Sequence, residues 1–573
     1  MQAKELTNAE RFARALKRNG VEFIFGQSNP TKIMLAAMEL GIRQIGFRQE
    51  NTGTYMAQAY AMASGKIPCV AAQNGPAATL LVPGLCEDYK AGHPVVAIVQ
   101  EVPLHDAEKN AFQELDHEKL FEGCAKWIKK IYSQDRIEDY VDMAFTAAAS
   151  GKPGPAVLLC PQDIFNDKTA RPVVSPRKAS LGHYPLDRMV PAQSAIQEAA
   201  KLLLNAENPL VYAGGGIFSS RAVDEIRELQ DAFCLPVATT TMGKGAVDET
   251  NPLSVGVIGY YMGHRSATKF MKPLVQRSDV VLLVGNRTNQ NGTDTWTLLP
   301  EDATYIHIDI DPMEIGRNYE AIRLLGDAKL TLRALIDEMK KGNAAKRQAK
   351  KAEIAAEIAD GRARHQVEIK DVMCSQISPI RIERFMAELE RQVADDCMVV
   401  ADASFSSIWN ANYITAKADR EFYFPRGLAG LGWGFPMAMG CKLASPEKPV
   451  FSLSGDGGFA HTWSELETCK REGINVIAAV INNKILGYQY YAEKFKFGEV
   501  TNAVWIDTVD YAKIAESCGL KGLTIRTVED IKPVLEEAFE AVKTETVVID
   551  IKTETFCQPP LPMIDTLKLA ELV

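Results

Sequence analysis

Asp456 lies in the run Ser454-Gly-Asp-Gly-Gly458, directly after the apolar stretch Val450 to Leu453. A second apolar stretch, Val476 to Ile481, ends on Asn482 and Asn483. A carboxylate and an amide at the ends of two buried strands are oxygen ligands suited to a hard divalent cation. Mg²⁺ is often held by one carboxylate together with phosphate oxygens. Gly455, Gly457 and Gly458 let backbone N–H groups approach an anion, and the helix expected next would turn its positive end toward it. Asp456 and a phosphate repel each other, and a cation between them removes the conflict. The pattern predicts a Mg²⁺–diphosphate clamp built on Asp456 and Asn483, with a backbone carbonyl just beyond as a further ligand. Either segment alone reads as an ordinary turn. Their pairing across two buried strands carries the signal.

The elements that must position these residues are legible too. Short apolar runs ("VEFIFG", "PVVAIVQ", "PAVLLC", "DVVLLVG", "YIHIDID", "NVIAAVINN", "TVVIDI") alternate with helical patterns along the chain. Continuous β-branched runs of this kind mark parallel sheets covered on both faces. The fold class is α/β, with three doubly wound parallel-sheet domains. Two seams divide them: a polar, proline-bearing stretch from Gln162 to Pro191, and an Ala/Lys/Glu-rich stretch from Lys340 to Lys370 that reads as an exposed helix. The blocks are 1–165, 190–340 and 370–555, with a tail at 556–573 that is proline-rich and then helical.

The 573 residues suit three domains of ordinary size. A net charge of -9 argues against general nucleic-acid binding. No apolar run is long enough to span a membrane, and the N-terminus reads as a charged amphipathic helix rather than a signal peptide. Eleven cysteines without a C-x-x-C pair read as reduced, buried thiols of an intracellular chain, with the cytoplasm as the expected compartment.

The Gly-Asp-Gly and Asn-Asn pair resembles the thiamine-diphosphate (ThDP) motif of the acetolactate synthase and pyruvate oxidase superfamily. The resemblance implies Asp456 and Asn483 as side-chain ligands of Mg²⁺ and Ile485 as a backbone ligand. Gly455, Gly457, Gly458, Leu486, Gly487 and Tyr488 would then line the diphosphate. "GLAGLGWGFPMAMG", Gly427 to Gly440, resembles the segment that holds the aminopyrimidine. There the Ala429 carbonyl would accept from the 4'-amino group, and Leu431 would be the apolar wedge under the thiazolium. Ser404, Phe405 and Ser406 stand where relatives carry a Gly-Gln-His diphosphate segment.

The first block carries "FRQENTGTYMAQAYAMASGK", Phe47 to Lys66, similar to the family run that holds the activating glutamate. Glu50 matches it, expected after a short strand and at the start of a helix. Asn74 and Gln73 fall at the cofactor-facing turn. Phe112 and Gln113 would line the substrate pocket. Gln27, Ser28 and Asn29 stand where the family builds a donor-binding loop. Glu50 and the diphosphate clamp lie on different blocks. In this family they meet across a subunit interface, so a homodimer at least, and a homotetramer, is implied.

The resemblance extends through the middle block, where acetolactate synthases bind FAD. Here the segment after Gly285 lacks their acidic-arginine run, and the reading leans against FAD. The implied reaction is a carboligase or lyase step on a 2-keto acid such as pyruvate, through an enamine, with 2-keto acids or aldehydes as substrates. Gln489 stands near the position where decarboxylases of the superfamily carry a glutamate, and could hydrogen-bond the adduct. Alternatives are a 2-keto acid decarboxylase, an acetyltransferase of the sulfoacetaldehyde type, and a non-catalytic cofactor-binding subunit.

Overall fold

The computed structural model describes residues 6–166, 177–417 and 419–565. The tail beyond 565 lies outside them. Three six-stranded sheets occur among these residues, and every strand pairing within them is parallel. Fully buried apolar strands such as β4 (Val95–Glu101), β10 (Val280–Val284) and β16 (Ile477–Asn482) show why the runs are continuous: helices cover both faces.

The chain divides into two compact units. One comprises residues 1–187, 425–447 and 462–475; the other comprises 188–424, 448–461 and 476–573. The first unit holds the first sheet, ordered β2-β1-β3-β4-β6-β5. Its strands are β1 (Phe23–Gly26), β2 (Arg43–Ile45), β3 (Cys69–Ala72), β4, β5 (Trp127–Lys130) and β6 (Pro155–Pro161). The second unit holds two sheets. The central one, β12-β11-β10-β7-β8-β9, contains β7 (Pro209–Ala213), β8 (Val237–Thr239), β9 (Ser254–Val257), β10, β11 (Thr304–Asp309) and β12 (Ala321–Leu325). The last one, β14-β13-β15-β16-β18-β17, contains β13 (Met398–Ala401), β14 (Glu421–Tyr423), β15 (Val450–Gly455), β16, β17 (Lys521–Ile525) and β18 (Val547–Lys552).

Each sheet has a switch point where the chain leaves two neighbouring strands in opposite directions: β1/β3, β7/β10 and β13/β15. Loops diverge there beyond the carboxyl ends of the strands and leave a crevice, the usual ligand position in such sheets. The three crevices differ in content. That of β1/β3 is flanked by the turns holding Asn29 and Gln73. That of β13/β15 is flanked by Ser404 and Asp456. At β7/β10 the turns close on each other: Gly216 donates to the Gly285 carbonyl at 3.1 Å. A Cβ on Gly216 would come within 2.6 Å of the Gly285 Cα. Gly214 and Gly216 are therefore packing glycines, and their N–H groups are spent on the Val284 and Gly285 carbonyls.

One expectation needs correction. The helix after Gly-Asp-Gly is a single turn, Asp456–Phe459. Two successive glycines disfavour longer helix, so the macrodipole contributes little. The Lys340 to Lys370 stretch is helical, spanning Ala345–Met373. Among the described residues, no helix is long and apolar enough to cross a membrane.

Candidate active site

Asp456 follows β15 and is 2% exposed. Its two carboxylate oxygens accept from Gly457 N at 2.8 Å and Lys484 N at 2.7 Å. The second bond ties the end of β15 to the turn after β16. Tyr511 Oη donates to the Asp456 carbonyl at 3.1 Å and fixes the turn from below. Burial raises the carboxyl to about 6, against the pull of these N–H donors. No cationic side chain pairs with Asp456 among the described residues. A buried carboxylate in that position favours a cation.

Asn483 is the second residue able to offer an oxygen. Its Nδ2 donates to the Thr555 carbonyl at 3.0 Å, which leaves Oδ1 as the acceptor on the other side of the amide. Ile485 bridges Trp505 in antiparallel fashion. That bridge uses Leu486 N and the Lys484 carbonyl, not the carbonyl of Ile485. Lys484 has φ of 65°, a left-handed conformation that turns the chain sharply between the two ligands. One carboxylate, one amide oxygen and one peptide carbonyl form an all-oxygen donor set suited to Mg²⁺. Gly455 faces space in which a Cβ would meet nothing within 4 Å. Ser404 also has positive φ, at 63°, and starts the helix Phe405–Tyr413 without spending its hydroxyl on a cap. Phe405 lies against Gly487, where a Cβ would fall 2.8 Å from its ring, and against Tyr488, with ring centroids 5.9 Å apart. Gly457 is similarly close to Leu486. Ser406 is buried. The sequence-predicted residues of this unit thus share one end of the sheet. Gln489 is different: it is exposed on the helix Gly487–Phe497, and its amide donates to Glu493 at 2.8 Å.

In the other unit, Glu50 is the first residue of the helix Glu50–Ser64, just after β2. The free N–H groups of that helix start meet Glu465, a residue sequence reasoning missed. Its carboxylate accepts from Arg48 N at 2.9 Å, Gln49 N at 3.3 Å and Thr52 Oγ1 at 2.7 Å. Burial and the Glu465 charge together raise the Glu50 carboxyl above its ordinary range. This suits a group that takes part in proton transfer.

Glu87 is a second missed carboxylate. Fully buried in the helix Pro76–Ala91, it accepts from Gly427 N at 2.5 Å, Leu428 N at 2.5 Å and Ala429 N at 3.3 Å. Ala429 has φ of 62°. Its carbonyl is thereby aimed by a loop clamped on its N–H side. Leu431, 37% exposed, stands two residues on, unlike a core leucine. Asn74 is buried and donates to the carbonyls of Phe112 and Gln113 at 3.2 and 3.0 Å. Ser28 is exposed at the turn after β1. The only hint for Glu87 was an acidic pair inside an otherwise apolar helix.

These arrangements match known proteins in order and extent. Residues 6–120 match the thiamine pyrophosphate enzyme N-terminal TPP binding domain, 196–335 the central domain, and 402–551 the C-terminal TPP binding domain. A probable acetolactate synthase large subunit of Methanocaldococcus jannaschii is 32% identical over 95% of this chain and 92% of its own length. The acetolactate synthase large subunits of Parasynechococcus marenigrum and Haemophilus influenzae are each 29% identical, over 97% and 96% of this chain and 89% and 95% of their own. With all three domains present in sequence and near-full-length similarity, the chain belongs to the thiamine pyrophosphate enzyme family and is a ThDP-dependent enzyme of the acetolactate synthase-like group.

Proposed function

We propose that the protein is a Mg²⁺- and ThDP-dependent carboligase or lyase acting on a 2-keto acid such as pyruvate. The observation that carries this reading is Asp456, a buried carboxylate without a cationic partner among the described residues, at a strand end shared with Asn483 and Ile485. Those three residues would hold Mg²⁺, with Gly455, Gly457, Gly458, Ser404 and Ser406 around the diphosphate. Bound there, ThDP supplies a carbon nucleophile for a keto-acid carbonyl and an electron sink for loss of CO₂. Glu50, with its raised pKa, holds the proton that a ring nitrogen must receive. The Ala429 carbonyl would accept from the cofactor's amino group, and Leu431 would offer it an apolar support. Gln113 and Ser28 offer hydrogen bonds to the substrate.

Exposed apolar side chains on the first unit, Phe112 at 83% and Leu428 at 56%, support burial against a second copy in a homodimer or homotetramer. Among the described residues the cysteines form no disulfide, which supports a reducing compartment such as the cytoplasm. The closed β7/β10 crevice supports a central domain without FAD. Purified protein incubated with ThDP, Mg²⁺ and pyruvate, with and without acceptor aldehydes, tests the reading. Acetolactate or another ligation product, lost in Glu50→Ala, is the expected outcome. CO₂ with free aldehyde would identify a decarboxylase, and no turnover across a panel of keto acids would overturn the proposal.

A further inference from the structure

Four side chains in the first unit form a one-way hydrogen-bond relay. Thr31 Oγ1 donates to Asn29 Oδ1 at 3.0 Å. Asn29 Nδ2 donates to Gln73 Oε1 at 3.3 Å, and Gln73 Nε2 donates to Gln113 Oε1 at 2.8 Å. Asn29 and Gln73 each accept on oxygen and donate on nitrogen, so polarity runs in one direction. The relay starts at the β1/β3 crevice and ends at Gln113, whose Nε2 donates to no acceptor among the described residues. Successive donors polarise one another and strengthen the last N–H.

Gln113 itself is fixed. Its backbone has φ of 58°. Gln100 Nε2 donates to Asn74 Oδ1 at 3.1 Å, and Asn74 in turn holds the Gln113 carbonyl. Gly75 lies so close that a Cβ there would fall 2.7 Å from that carbonyl oxygen. Gly75 N donates to His117 Nε2 at 2.9 Å, and His117 Nδ1 meets Glu101 at 2.7 Å, which fixes the imidazole as the Nδ1–H tautomer. The loop before Gln113 is tied by Glu114, which accepts from Glu108 N and Ala111 N. Backbone and side-chain oxygen are both committed, and the only freedom left to Gln113 is a pair of N–H donors.

We propose that Gln73 and Asn29 are specificity-determining residues: by fixing the direction of this relay they make Gln113 an oxyanion donor. The substrate group recognised there is an oxyanion, such as a carboxylate oxygen of the keto acid, held by neutral amide N–H groups. Among the described residues, no lysine, arginine or histidine side chain donates into the relay. This goes beyond a pocket role for Gln113 and rests on the keto-acid reading above.

Gln73→Glu reverses the relay. A glutamate can only accept, so it takes Asn29 Nδ2 on one side and draws Gln113 Nε2 on the other, turning Gln113 Oε1 toward the substrate. Gln73→Met keeps the length and cuts the relay. Steady-state kinetics with pyruvate and its uncharged methyl ester, alongside ThDP titration followed by protein fluorescence, read the effect. In Gln73→Glu the ratio of kcat/KM for pyruvate over the ester is expected to fall about ten-fold or more, since a donor is replaced by an acceptor against an anion. In Gln73→Met it falls by about three-fold, the loss of one polarised bond. ThDP affinity stays near that of the wild type. An unmoved ratio in Gln73→Glu, or a loss of ThDP affinity that accounts for the change, overturns the proposal. Should the wild type consume no keto acid, the functional reading fails separately, and calorimetric titration with pyruvate decides the relay. Weaker binding to Gln73→Glu than to wild type then supports it; equal binding, or none to the wild type, overturns it.

Discussion

Glu87 Oε1 accepts the backbone N–H of Gly427 at 2.5 Å across 340 residues of sequence. The contact fixes the loop that carries Ala429 and Leu431 to a helix of the first sheet. A charged acceptor with three amide donors in a buried place is a strong local constraint. Glu87→Gln keeps the shape, but its NH₂ would face an N–H where an acceptor is needed. ThDP affinity is expected to fall about ten-fold, corresponding to one charge-assisted bond. Glu87→Asp should recover part of it. Fluorescence titration with ThDP checks both variants, and unchanged affinity in Glu87→Gln would remove the loop from the binding account.

Glu50→Gln separates proton handling from binding. The amide keeps the size of the side chain and loses the exchangeable proton. kcat should fall by about a hundred-fold or more, the usual range for a lost acid–base group. ThDP affinity should change far less. A loss confined to affinity would make Glu50 a binding residue only.

Asp456 gives a pH dependence with a definite sign. Its carboxyl lies at about 6 in the fold against 3.8 when unperturbed. Relative to the unfolded chain, the cation-free fold therefore favours the protonated form. The stabilisation is full below pH 3.8 and is lost as pH rises through about 6, by about 3 kcal/mol at most. Asp456→Asn should be more stable than wild type at pH 7 in the presence of a chelator, with the difference shrinking toward pH 4. Binding of Mg²⁺ and ThDP runs the other way, because the cation needs the carboxylate, and weakens as pH falls below about 6. Thermal unfolding of both proteins across this range, with and without cation, measures each limb. Parallel curves for the two proteins would show that Asp456 does not titrate there.

The strands and their carboxyl-end residues were readable because each signal is local. Continuous apolar runs gave Val450 to Leu453 and Val476 to Ile481 as buried strands, and Asp456 and Asn483 follow them directly. Glu50 was placed by resemblance to a family run, and it does open a helix. Glu87 and Glu465 were not readable, since each is defined by N–H groups far away in the chain: Gly427 to Ala429 for one, Arg48 and Gln49 for the other. The amide relay was half visible. Gln73, Asn29 and Gln113 stood in segments of interest, but the direction of their hydrogen bonds depends on how β1 and β3 bring two turns together. The role of the Gly214 to Gly216 turn was not readable for a related reason, because glycine serves both close ligand approach and close backbone packing, and only the neighbouring strand shows which.

Close packing also positions Glu50, and this can be tested away from the chemistry. The helix Gly434–Ala444 crosses the Glu50–Ser64 helix at Gly440, where a Cβ would fall 2.1 Å from the Met56 carbonyl oxygen. On the opposite helix, a Cβ at Gly84 would strike Thr54 Oγ1. The Glu50 helix is thus held by glycine contacts on two sides, and backbone cannot yield as a flexible side chain can. Gly440→Ala should cost about 2 kcal/mol or more through overpacking. Gly123→Ala is the control, since a Cβ there meets nothing within 4 Å. Thermal unfolding should show a lower Tm for Gly440→Ala and little change for Gly123→Ala. Because the displaced helix carries Glu50, turnover in Gly440→Ala should fall even at temperatures where the variant remains folded. Full activity in a destabilised Gly440→Ala would show that the Glu50 carboxylate tolerates movement of its helix.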